Sequence, residues 1–139
     1  MASGSRHHNW RGGKIHKGAG YTGLLLPEHP RADKQGYVLE HIVIAEKAIG
    51  HSLPAQAEIH HVNNHRRDNT NSNLVICENH RYHMLLHQRE DAIKAGVPAH
   101  WLKCPYCKIY DARERLWVGP KNGKHHRTCF NKYNRDRKP

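Results

Sequence analysis

Apolar side chains are scarce in this 139-residue chain, with a single Phe, two Met and 37% of residues in the hydrophobic classes. A core drawn from so few residues is thin, and small thin-cored domains commonly rely on bound metal for part of their stability. No apolar run approaches the ~18–20 residues needed to span a bilayer, and no signal-like apolar segment follows Met1. These absences predict a cytoplasmic protein with no membrane partner. Acidic residues are also in short supply: 12 Asp and Glu stand against 23 Lys and Arg, a formal charge of +11. A chain this basic, with a pI of about 9.8, is expected to bind polyanions, and nucleic acid is the default partner. Cysteine is limited to four residues, which a reducing cytosol favours as ligands over disulfides. Histidine breaks the pattern, at fifteen residues.

The histidines matter most in residues 58–87. Glu58–Val62 reads as one short strand and Leu74–Cys77 as another, joined by a polar run rich in Asn, Asp, Ser and Thr, the residues of tight turns. A helix from about Asn79 to Ala95, stopped by Gly96, follows. Successive strand side chains point to opposite faces, so His60 and His61 are poorly placed to bind one ion together. One can hold a metal while the other stays free. On the helix, His83 and His87 at i and i+4 share a face. His60, His83 and His87 then supply three imidazoles and leave a coordination position open, as catalytic sites do. His61 is expected to stay unligated, turned outward, as a general base, since an imidazole's reference pKa of about 6.5 suits proton transfer near neutral pH. Asn73 is placed to pin the loop and orient His61. Arg66 and Arg67 in the loop are expected to contact phosphate through their forked guanidinium groups.

The pattern His60-His61, Asn73-Leu74 and His83-x3-His87 resembles an HNH endonuclease, and its spaced closing pair is similar to that of the colicin-type DNases. Upstream, Gly36-Tyr37-Val38-Leu39-Glu40-His41 leading to Glu58-Ile59-His60-His61 is similar to small phage-encoded HNH proteins. The resemblance spans roughly residues 36–90. It implies a ββα-metal (His-Me finger) core, with His60, His83 and His87 as metal ligands, His61 as base and Asn73 as the motif's middle asparagine. It also implies DNA ends with 5′-phosphate and 3′-hydroxyl, and for a phage-encoded chain the host cytoplasm. Two departures stand out. Asn63-Asn64 occupies the turn where many relatives have Gly, and the Asn73-to-His83 gap is longer than in the colicin type. His80 therefore competes with His83 as a ligand.

A second constellation is Cys104-x2-Cys107 followed by His126-x2-Cys129, which matches zinc-ribbon spacing and predicts one closed structural zinc site. His125 is the alternative to His126, and a disulfide the alternative to zinc. Leu116–Val118 reads as an arm of a hairpin, and Cys77, alone, as a small buried residue.

The expected fold is α+β. Residues 1–9 form a flexible N-terminus and 10–37 a basic strand-and-loop segment, with Gly20–Leu26 its best strand and Lys14 and Lys17 as DNA contacts. Residues 38–97 form the nuclease core, opening with a helix over Val38–Ile49 whose Glu40 and His41 read as a polar pair beside the core. Residues 98–130 form a zinc-ribbon-like subdomain and 131–139 a basic tail. The expected function is a metal-dependent DNA endonuclease with one catalytic divalent ion. Three imidazoles favour Zn, Ni, Co or Mn over Mg, which prefers oxygen. A single metal centre points to a monomer that nicks, with a dimer needed to cut both strands. The rival expectations are a zinc-stabilised DNA-binding module without chemistry, and an RNase.

Overall fold

In the computed structural model, which describes residues 13–119 and 123–137, the elements follow closely from turn chemistry and a few apolar anchors. The expectation of a flexible segment at residues 1–9 lies outside the described residues. Strand β1 (Lys14–Lys17) reverses through a 3-10 turn at Gly18–Gly20 into β2 (Tyr21–Leu25), which pairs in turn with β3 (Tyr37–Leu39). The turn needs positive φ at Ala19 (60°) and Gly20 (85°), and glycine adopts that region without steric cost.

The helix expected from Val38 begins two residues later. Tyr37–Leu39 pairs with Gly23–Leu25 instead, and Val38, 1% exposed, is buried there. Helix α1 (Glu40–Ile49) then runs to Gly50, whose φ of 80° lets its N–H bond back to Glu46 O at 2.8 Å. Downstream, the Arg31 guanidinium donates to the carbonyls of Pro54, Ala55 and Ala57, fixing the approach to the next strand. The core of this part is small: Ala45, Leu53, Ala57 and Ile59, with Ile42 and Leu74 packed against them.

Strands β4 (Glu58–His61) and β5 (Leu74–Cys77) form an antiparallel pair with His60 opposite Val75 and His61 opposite Leu74. Helix α2 (His80–Lys94) follows directly and stops before Gly96, at φ 74°. The chain divides into two compact units, one reaching His83 and the other starting at Met84, so the boundary falls inside α2.

The second unit holds two small hairpins, β6 (Leu102–Lys103) with β7 (Tyr110–Asp111) and β8 (Trp117–Val118) with β9 (Lys124–His125). Helix α3 (Arg127–Asp136) closes it. Residues 131–136 of the expected basic tail are thus helical. The segment looks fully polar because only Phe130 and Tyr133 are large and apolar, but they stand three residues apart on one helical face. Phe130 stacks on His125 at 4.8 Å between centroids, and Tyr133 lies 4.9 Å from Tyr106. The whole is a mixed α+β chain, and among the described residues no helix is long and apolar enough to cross a membrane.

A Cβ built at Gly50 meets nothing within 4 Å, so Gly50→Ala tests backbone strain alone. It should cost about 1 kcal/mol, the penalty of a left-handed residue with a side chain, measured as a lowered denaturation midpoint with an unchanged m-value.

Candidate active site

Alternation along β4 sorts its side chains onto two faces. Glu58 and His60 turn towards α2, while Ile59 and His61 turn towards α1. On the first face the His60 and His83 rings meet edge-on, 5.2 Å apart. On the other, Ile59 enters the core beside Ala45, and the His61 ring stands edge-on to His41 of α1 at 5.1 Å.

The first face carries a three-imidazole cluster. One ring nitrogen each from His60, His83 and His87 lies within 4.8 Å of the others. His83 and His87 are one turn apart on α2, so the helix itself sets their spacing. Nitrogens bound tetrahedrally to one ion at about 2.1 Å stand roughly 3.4 Å apart, a separation inside the limit within which these three lie. Glu58 adds a further fit. The His83 Nδ1–H donates to Glu58 Oε2 at 2.6 Å, which leaves Nε2 with the lone pair, as a carboxylate behind a ligand histidine does in metal sites. His83 above all, and then His80, hold the Glu58 carboxyl below the usual carboxylate range. His80, the competitor for the ligand position, stands apart from His60 and His87. Its Nδ1 meets Glu58 at 3.1 and 3.2 Å, and with Glu58 and His83 it forms a second, more exposed group of ligand atoms.

His61 departs from the outward presentation expected of it. It is only 5% exposed, because Tyr21, at 6.2 Å, and His41 wall the ring. Its two nitrogens differ in setting. Nε2 is hydrogen-bonded to Asn69 Oδ1 at 3.0 Å. Buried ring nitrogens without a hydrogen-bond partner include His41 Nδ1 and His125 Nε2, whereas His61 Nδ1 is not one of them. Nδ1 makes no hydrogen bond with the described residues. Asn69 in turn donates through Nδ2 to Glu40 Oε2 at 2.8 Å, and Lys14 Nζ donates to Glu40 Oε1 at 2.6 Å.

Asn73, expected to orient His61, spends its amide on the loop instead. Its Oδ1 accepts from the Asn63 N–H at 2.9 Å and its Nδ2 donates to Asp68 O at 2.7 Å. The residue that holds His61 is Asn69, which a sequence scan passes over as one more turn asparagine. Glu40 and His41 also belong to this neighbourhood. Burial, chiefly, with His61 and Arg31 adding to it, brings the His41 pKa down to about 4, so this ring stays neutral beside His61.

The expected DNA contacts separate into two kinds. Lys14 and Lys17 are engaged within the protein, Lys14 with Glu40 and Lys17 with Asp33 at 2.5 Å. Arg66 and Arg67 line an open cleft of about 670 Å³ together with Ala19, Gly20, Asn64, His65 and Asp68. Arg66 is tethered there by a 2.8 Å bond to Ala19 O and lies over the Tyr21 ring. Arg67 is exposed and makes no hydrogen bond or ion pair with the described residues.

In the second unit, Cys104, Cys107, His126 and Cys129 place one ligand atom each within 4.8 Å of the others, and all four cysteines of the chain are unbridged. His126 Nδ1 lies 3.3 Å from Cys107 Sγ and 3.9 Å from Cys129 Sγ. These values bracket the roughly 3.6 Å expected between nitrogen and sulfur on a tetrahedral zinc ion. Burial raises the Cys104 thiol, but backbone amides of Cys107, His126 and Tyr106 outweigh it and bring the pKa to about 6. A cradle of amides around a thiolate suits a metal ligand. His125 is excluded from this set, caged by Tyr106, Trp117 and Phe130.

Two outcomes follow. The unfolded chain takes up a proton at His41 near pH 6.5, which the folded chain refuses until about pH 4. Acidification through that window should therefore remove on the order of 3 kcal/mol of stability. Denaturation midpoints across pH 7 to 4.5 should show this slope in wild type and a flatter one in His41→Leu. Stripping metal with a strong chelator, or replacing Cys104 by Ser, should abolish the near-ultraviolet circular dichroism of Trp117, because zinc bound at such a site supplies folding free energy. An unchanged spectrum would contradict the assignment.

No protein family, curated protein or solved structure matches this chain.

Proposed function

We propose that the chain is a metal-dependent DNA endonuclease of the HNH type, with β4, β5 and α2 as its ββα-metal core and a zinc-ribbon-like second unit. The observation that carries the reading is the split of the adjacent histidines. His60 joins His83 and His87, while His61 turns to the other face of β4 and is held through Nε2 by Asn69. The order of these elements and residues is also that of the resemblance drawn from sequence.

In this reading His60, His83 and His87 hold a single divalent ion. When bound, the ion supplies a Lewis acid that withdraws charge from the scissile phosphate and the leaving 3′ oxygen. His61 takes a proton from water through Nδ1 as the water oxygen attacks phosphorus in line. The imidazolium so formed keeps its hydrogen bond to Asn69, behind which stands the Glu40 carboxylate. Neutral His41 adds no repulsion to the charge developing on its neighbour. Arg67 and Arg66, which line the same cleft, bind a flanking phosphate, and the overall charge of +11 supports association with duplex DNA. One such centre among the described residues suits a monomer that nicks, since cutting both strands takes two such sites.

The deep burial of His61 favours one rival, a DNA-binding module with structural metal and no chemistry. Supercoiled plasmid incubated with Zn, Ni, Co, Mn or Mg separates the two. Nicking should appear with transition metals and fall by about a hundredfold or more in His61→Ala, with DNA affinity unchanged. No nicking with any metal would favour the rival, and strong preference for Mg would count against three imidazole ligands.

A further inference from the structure

We propose that Asn69 and Glu40 are positioning residues that fix the tautomer and ring orientation of His61, so that Nε2 carries the proton and Nδ1 is the basic nitrogen. Calling His61 the base rests on the nuclease reading above, but the tautomer assignment does not.

The assignment follows from hydrogen-bond direction along a chain with a defined end. A carboxylate only accepts, whereas an amide side chain has one accepting and one donating end. Glu40 therefore forces Asn69 to present Nδ2 to it. The bond at 2.8 Å is of that kind. With Nδ2 committed, Asn69 can offer His61 only its oxygen, 3.0 Å from Nε2. An oxygen acceptor at that distance requires hydrogen on Nε2, and a neutral imidazole with hydrogen on one nitrogen has its lone pair on the other. The direction of the chain thus dictates the protonation site without reference to any assigned hydrogen.

The Glu40 end is secured independently. The carboxylate lies in the first turn of α1, where the helix dipole favours negative charge. Lys14 binds its second oxygen at 2.6 Å. Chiefly through that bond, and with a further contribution from Asn69, its pKa falls below the usual carboxylate value. Lys14, an expected DNA contact, also anchors this chain. The ring also cannot turn over freely. A flip about its long axis would put carbon against Asn69 Oδ1, and His41 and Tyr21 flank it in edge-on and tilted contacts. An Asp in place of Asn69 would form a conventional carboxylate–histidine pair. The amide instead transmits orientation while keeping the negative charge one residue further away.

The test is nitrogen-15 NMR of the zinc-loaded full chain, with the two-bond couplings of the His61 ring reporting its tautomer. Wild type should show the Nε2–H form, with the Hε2 proton visible because its hydrogen bond slows exchange with water. In Asn69→Ala that proton should vanish and the Nδ1–H population rise severalfold. Glu40→Gln, which leaves the loop intact, should show the same change to a lesser degree, since Gln can donate as well as accept. In the nicking assay Asn69→Ala should lower kcat about tenfold or more, the cost of a misprotonated ring, with little change in KM. An Nδ1–H ring in wild type, or no change in either variant, would overturn the proposal. A protein that shows the expected tautomer but nicks no plasmid would overturn the nuclease reading and leave the positioning chain standing.

Discussion

The alternation of side chains on an extended backbone is the constraint on which this structure turns. At β4 it parts two adjacent histidines, one towards the imidazoles of α2 and the other towards α1 and Asn69. The neighbours follow suit. Glu58 shares the His60 face and binds His83, and Ile59 shares the His61 face and enters the core. A register shift of one residue would exchange the faces, turning Glu58 and His60 towards α1 and taking Ile59 out of the core towards α2.

The same device recurs in the second unit. His125 at the end of β9 enters an aromatic cage, and His126, the next residue, meets two of the three site cysteines. In both places one member of a His-His pair is a candidate ligand and the other is packed among rings. Both units have few buried apolar residues. Ligand clusters sit where a larger protein would place more core, consistent with metal serving stability in a chain with a single Phe.

Much of this was legible locally. The strands at 58 and 74, the stop at Gly96 and the four zinc-type ligands all follow from periods of two and 3.6, turn residues and spacing. What sequence reading missed lies across distance. Nothing in the run Asp68-Asn69-Thr70 marks Asn69 as the partner of His61, because Glu40, which orients it, is 29 positions away. Lys14 reads as a free cation until its ion pair is seen. Glu58 was open to discovery, since a residue two before His60 on a strand must share its face. Helix α3 was hidden by composition: two aromatic residues among charges carry its packing. The exposure of His61 was misjudged because walls supplied by Tyr21 and His41 come from other elements.

The account stands or falls on where a divalent ion goes in the first unit. The direct measurement is anomalous diffraction at the zinc edge from crystals of the zinc-loaded chain. The account predicts an ion within about 2.1 Å of ring nitrogens of His60, His83 and His87, with no bond to His61. An ion bound instead by Glu58, His80 and His83, or one that takes His61 as a ligand, would contradict it.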